Sequence, residues 1–221
     1  MNDVYATTDE LLKSNVDFKK KPDEGNMKGI AFAYDTDGYW CELVKRAEGN
    51  KLTSKANFSQ TMLRIKDPAK SVPFYESLGM TVLTEKHFPQ WEFSLYFMGC
   101  LGEDEEFPGP DVSDEEKSAF VNSRHRPVLE LTHNHGTEDD AEFSHNNGNE
   151  EGKQGFGHIG FLVDDVDEAC KALEVFGHGF KKTPQDGNMK GLAFAKDPDG
   201  YWCEIIKRGG YDVEATPYYF E

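Results

Sequence analysis

Four side chains of metal-ligand type stand inside segments that otherwise read as buried strands. Gln60 opens QTMLRI, Glu130 interrupts VLELT, His158 opens HIGFLV and Glu204 interrupts YWCEII. An amide oxygen, an imidazole and two carboxylates suit a divalent first-row ion and do not suit a soft thiolate site. Taken singly, each has a plainer reading. A glutamate within a strand usually faces solvent, a histidine beside glycine is usually hydrogen-bonded in a core, and a glutamine at a strand start is usually a surface residue. The joint placement favours the metal reading: each of two segments offers one ligand-type residue from its first strand and one carboxylate from its last. Two such segments facing each other converge four groups.

The elements that position these groups follow from pattern. Residues 157–163 form a short apolar run opened by glycine, a buried strand. Asp164 or Asp165 caps the next helix, whose stripe is Val166, Ala169, Cys170 and Leu173, and Gly177 and Gly179 end it. Strands follow around 179–182, 191–196 and 202–206, with a DPDG turn at 197–200. This is a β-α-β-β-β order. Residues 58–132 repeat it: FSQTMLRI, a helix capped by Asp67 and stopped at Gly79, then TVLTE, FSLYFM and PVLELT, with a short helix near 113–121 before the last strand.

A third unit is a repeat of the second. Residues 25–46, GNMKGIAFAYDTDGYWCELVKR, match 187–208, GNMKGLAFAKDPDGYWCEIIKR, without a gap at an offset of 162. Upstream, Phe18-Lys19-Lys20 matches Phe180-Lys181-Lys182, and Asp3-Val4 matches Asp165-Val166. Nothing in the first copy corresponds to GFGHIGFLVDD at 155–165. The expected organisation is an incomplete module over 1–48 lacking its first strand, a linker near 49–56, full modules over 57–135 and 155–210 joined by a polar connection, and a tail over 211–221.

Composition narrows the partners. The 24 basic and 41 acidic side chains give a net charge of −17, which argues against nucleic acid or an anionic membrane and requires local positive charge wherever an anionic ligand binds. Cys41, Cys100, Cys170 and Cys203 form no C-x-x-C pair and read as free thiols in a reducing compartment. No apolar run reaches about 18 residues. The N-terminus has neither a basic n-region nor an apolar h-region, so the expectation is a cytoplasmic protein.

QTMLRIKDPAKSVPFYESLGM, FSLYFMG, LELTHNHGTEDD, NGNEEGKQGFGHIGF and MKGLAFAKDPDGYWCEI resemble glyoxalase I (lactoylglutathione lyase) of the eukaryotic type, over about 57–210 and separately about 2–46. The resemblance implies an α+β glyoxalase/vicinal-oxygen-chelate fold of paired βαβββ modules. It implies a metal held by Gln60, Glu130, His158 and Glu204, the four residues already singled out. It places glutathione contacts on Arg64, Asn134, Lys182, Asn188 and Met189, with His158 also at the substrate. An arginine usually precedes GFGH in the family, and here Gln154 stands there. That removes a charged hydrogen bond worth roughly 1.5–3 kcal/mol, for which Lys153 is a nearby substitute.

The implied reaction isomerises the glutathione–methylglyoxal hemithioacetal to S-lactoylglutathione through an enediolate. A divalent ion, zinc with nickel as the alternative, acts as Lewis acid, and Glu204 moves the proton with Glu130 as its counterpart. The N-terminal unit carries Glu42 where Glu204 belongs but has no matching histidine. Two assemblies compete. In one the unit folds onto the middle module, leaving Gln60, Glu130 and Glu42 without a histidine. In the other, two chains form a homodimer through complete modules. The chain thus reads as a truncated form of a tandem enzyme. Other readings are a catalytically impaired remnant that binds glutathione conjugates or a partner, and a ring-cleaving dioxygenase. The dioxygenase is disfavoured because Gln60 takes the place of one of its two histidines.

Overall fold

The protein is described by a computed structural model over residues 1–46 and 54–209. The expected tail at 211–221 and most of the expected linker lie outside the described residues. In chain order the elements are α1 (Val4–Lys13), β1 (Phe18–Lys20), β2 (Ala31–Tyr34), β3 (Trp40–Leu43), β4 (Gln60–Ile65), α2 (Pro68–Ser77), β5 (Thr81–Phe88), β6 (Phe93–Gly99), α3 (Asp114–Ser123), β7 (Val128–Asn134), β8 (His158–Val163), α4 (Val166–Glu174), β9 (Phe180–Lys182), β10 (Ala193–Lys196) and β11 (Trp202–Lys207). No described helix is long and apolar enough to cross a membrane.

Local chemistry explains the helix starts. Asp3, Asp67 and Asp165 each accept a backbone N–H of the first turn of α1, α2 and α4. Ser113 and Glu116 form a reciprocal capping box on α3. Element ends follow local bonds and partners. Helix α4 stops at Glu174, and the chain turns through Phe176 and Gly177 by bonds back to Leu173 and Glu174. Strand β5 runs on to Phe88 because β6 pairs with it along that length, Phe88 opposite Phe93.

The described residues form two compact units, one from 1–46, 54–60 and 107–128, the other from 61–106 and 129–209. In the first, sheet β1-β2-β3 packs with α1 around Val4, Ala31 and Leu43, flanked by Met1, Leu11 and Phe18. Arg46 N–H donates to Met1 O at 2.6 Å, as Arg208 N–H donates to Val163 O at 2.7 Å in the second unit. At the 162-residue offset Met1 is the counterpart of Val163, the last residue of β8.

The second unit contains the sheets β4-β7-β6-β5 and β8-β11-β10-β9. Strand side chains alternate between faces. Leu63 and Ile65 of β4, Leu129 and Leu131 of β7, and Cys203 and Ile205 of β11 all enter one shared core with Phe74 and Tyr75 of α2 and Val166, Cys170 and Leu173 of α4. The turn after β10 is bolted to α2. Tyr75 OH donates to Asp197 Oδ2 at 2.7 Å, Ser71 Oγ donates to Asp199 Oδ2 at 3.2 Å, and Lys66 N–H donates to Asp199 Oδ1 at 2.9 Å.

The repeated turn shows what sequence fixes locally and what context adds. Asp197 Oδ1 accepts from the N–H groups of Asp199 and Tyr201 at 2.9 and 2.8 Å, and Asp35 Oδ1 accepts from Asp37 and Tyr39 at the same distances. Burial differs sharply. Tyr201 is 6% exposed and Cys203 fully buried, whereas Tyr39 is 47% exposed and Cys41 open to solvent.

Burial pushes the Asp197 carboxyl up to about 7, against the bonds from Tyr75 and the two backbone amides. The folded state therefore holds this proton more tightly than the unfolded chain, and stability from this group falls as pH rises from about 4 to about 7. Asp197→Asn takes up no proton there. Its stability relative to the parent should rise across that interval in urea unfolding at a series of pH values; a flat difference would refute the assignment.

Candidate metal and substrate site

Strands β8 and β11 run parallel, with Gly160 opposite Glu204 and His158 opposite Trp202. His158, Gly160 and Leu162 alternate away from the core, as do Trp202 and Glu204. His158 Nε2 and Glu204 Oε2 lie 3.3 Å apart. A Cβ on Gly160 would sit 3.9 Å from Glu204 Oε2, in ordinary contact, so this position borders the carboxylate directly. Phe194 stands edge-on to the imidazole at 5.3 Å, and Lys181 Nζ sits 5.3 Å over the Trp202 ring. This face therefore offers a donor pair, an aromatic wall and a cation.

In the first unit Gln60 Nε2 donates to Glu42 Oε2 at 2.9 Å. Glu42 lies opposite Phe32 on β2, as Glu204 lies opposite Phe194 on β10. Glu130 sits on β7 opposite Phe97 of β6 and alternates with the core residues Leu129 and Leu131. Burial raises the pKa of its carboxyl, opposed by a 3.3 Å bond from Thr132 Oγ1 and by the charges of Lys86 and Arg64. Among the described residues no three His, Cys, Asp or Glu side chains converge. Gln60 meets Glu42, and His158 meets Glu204.

These pairs fit a divalent first-row ion in part. Imidazole nitrogen and carboxylate oxygen each bind such an ion at about 2.1 Å, so a 3.3 Å separation subtends about 100° at a shared centre. Gln60 must turn its amide to present oxygen in place of the N–H now given to Glu42. Each pair supplies two donors, and a four-coordinate ion needs two more.

The substrate-binding candidates divide in the same way. Arg64 is exposed on β4, and Asn134 ends β7 opposite Phe93. Asn188 is exposed and Met189 half-buried in the loop between β9 and β10. Lys182 Nζ donates to the carbonyls of Leu192 at 2.7 Å and Thr183 at 3.2 Å, and burial lowers its pKa. It holds that loop closed, as Lys20 does in the first unit through Ile30 O. Gln154 is exposed, and Lys153 is paired with Glu150 at 2.8 Å.

Two residues that sequence reading passed over set the approach to His158. Asn149 Nδ2 donates to Gly157 O at 2.7 Å, and Gly155 N–H donates to Gly148 O at 2.9 Å. Gly148 has φ +79°, and a Cβ there would meet Phe156 O at 2.3 Å. Consecutive Asx turns at Asn146 and Asn147 build this loop. The string NNGN just before GFGH carried the signal.

A model of the Glyoxalase/Bleomycin resistance protein/Dioxygenase superfamily matches residues 57–205. A lactoylglutathione lyase of Schizosaccharomyces pombe is 40% identical over 94% of this chain and 64% of its own length, so the chain spans under two thirds of that relative. A lactoylglutathione lyase of Pseudomonas putida is 42% identical over 73% of this chain and 90% of its own. The crystal structure of a glyoxalase I variant from Zea mays aligns with a TM-score of 0.66 at 26% identity, covering 94% of this chain and 64% of that one.

Gly148→Ala should destabilise the fold by about 2 kcal/mol or more, because strain at positive φ adds to a backbone clash. Gly152, at φ +75° with nothing within 4 Å, is the matched control, and its alanine variant should lose only about 1 kcal/mol. Equal losses in urea unfolding would show that the approach to Phe156 is not tight.

Proposed function

We propose, for a chain that belongs to the glyoxalase/bleomycin resistance protein/dioxygenase superfamily and within it to the glyoxalase I family, the isomerisation of the glutathione–methylglyoxal hemithioacetal to S-lactoylglutathione. The observation that carries this reading is the His158–Glu204 pair on adjacent strands, with Gly160 bordering the carboxylate. The donors that would hold the ion are Gln60, Glu130, His158 and Glu204, and we take the ion to be zinc, with nickel as the alternative. A bound divalent ion supplies Lewis acidity that stabilises negative charge developing on the substrate oxygens.

The chain's own groups do the rest. The Glu204 carboxylate takes the proton from one carbon of the substrate and returns it to the neighbouring carbon. Glu130 does the same for the opposite hemithioacetal face, and burial raises its proton affinity toward that task. Arg64 and Asn134 on one face, and the loop bearing Asn188 and Met189 on another, bind the glutathione part. Lys182 acts through that loop, because two of its three ammonium protons are directed at Leu192 O and Thr183 O. Local cations such as Arg64 and Lys181 offset the repulsion between an anionic substrate and a chain of net charge −17.

Since His158 and Glu204 supply two donors and a four-coordinate ion needs two more, we propose that they are completed by Gln60 and Glu130 of a second copy. Gln60 then exchanges its bond to Glu42 for the ion.

The test is formation of S-lactoylglutathione by the intact chain with added zinc or nickel, beside Glu204→Gln. The parent should be active, and the substitution should lower kcat about 100-fold or more. A folded parent inactive with both metals refutes the proposal and leaves the Gln60–Glu42 pairing as the resting end of an impaired remnant.

A further inference from the structure

On the face of the middle sheet opposite Glu130 and Asn134, a hydrogen-bond chain links two strands and a turn. Glu85 Oε2 lies 3.3 Å from His87 Nε2, His87 Nδ1 lies 2.9 Å from Ser94 Oγ, and Ser94 Oγ lies 2.7 Å from His135 Nε2. These groups come from β5, β6 and the turn after β7. The order acid, imidazole, hydroxyl resembles a nucleophile relay. It is not one, because Ser94 is 3% exposed and its far side is taken by His135, so no substrate reaches Oγ. The hydroxyl instead ties two imidazoles to one atom, donating to one ring and accepting from the other.

What this chain holds is the end of the sheet that carries Asn134. His133 and His135 flank it, and both point to the opposite face. His133 Nε2 is bonded to Glu138 at 2.7 Å, and His135 N–H donates to Glu92 O at 2.9 Å. The carbonyl of Asn134 itself accepts from Thr137 Oγ1 at 2.9 Å. Phe93, paired with Asn134 across the strands, stacks on Phe88 at 4.7 Å between centroids and 26° between planes. His87 adjoins Phe88 in sequence, and Ser94 adjoins Phe93. Each ligand-facing residue at this end therefore has a chain neighbour locked into the His–Ser–His chain behind it.

We propose that His87, Ser94 and His135 are positioning residues for glutathione-conjugate binding, holding Asn134 and the Phe88–Phe93 stack in register from behind the sheet. The inference rests on the reading of Asn134 as a glutathione contact. The experiment is calorimetric titration of S-hexylglutathione into the intact chain, with Tm recorded for every variant. Ser94→Ala and His135→Ala should each raise Kd about 5- to 10-fold. The double variant should add little, because either change breaks the same chain. His135→Gln, which keeps a hydrogen-bonding group within reach of Ser94, should restore Kd to within about 2-fold of the parent. Parent-like Kd in folded Ser94→Ala, a fully additive double variant, or no rescue by His135→Gln overturns the inference alone. Absence of binding by the parent removes the glutathione reading and this inference with it.

Discussion

The bond from Tyr75 to Asp197 decides which way the second unit faces. It is made in a dry core and is backed by Ser71 and Lys66 on Asp199. Together these contacts seat the turn after β10 on α2, so both sheets of this unit turn their apolar faces toward one core. Strand alternation then leaves no choice for the polar residues. Glu130 must look away from that core on its sheet, and His158 and Glu204 must look away on theirs. His158 and Glu204 are thereby left on the open face of their sheet, where two donors are available and a four-coordinate ion needs two more.

Much of this was legible beforehand, and for identifiable reasons. The caps at Asp67 and Asp165 and the DPDG turn at 197–200 are short-range signals, and each formed as expected. The donor residues stood out because a polar side chain within an apolar run is costly unless it is used or solvated. Helix and strand lengths were less accessible. β5 is extended by its partner β6, whereas α4 ends just before Gly177, one of the two glycines expected to stop it.

What sequence did not show is set by register and by close approach. His135 is 41 residues from Ser94, and His87 meets Ser94 only through the register of β5 on β6, with β6 on β7 completing the set. Gly148 looks like any loop glycine until Phe156 is seen folded against it. Lys182 read as a charge available to a ligand, yet most of its hydrogen-bonding capacity closes its own loop. Most of these contacts span ten residues or fewer, but they depend on how the chain folds back on itself and not on residue type.

The duplicated turn carries a consequence of its own. One chain holds two nearly identical segments, Asp35 through Cys41 and Asp197 through Cys203, with the same local hydrogen bonds and opposite solvent exposure. Composition, solvent and temperature are held constant between them by covalent linkage. Apart from the Thr36/Pro198 difference, divergence in thiol reactivity, amide exchange or tolerance to substitution between the two copies reports their surroundings. The molecule thus contains its own reference state, against which tertiary burial can be weighed separately from the propensity of the sequence that experiences it.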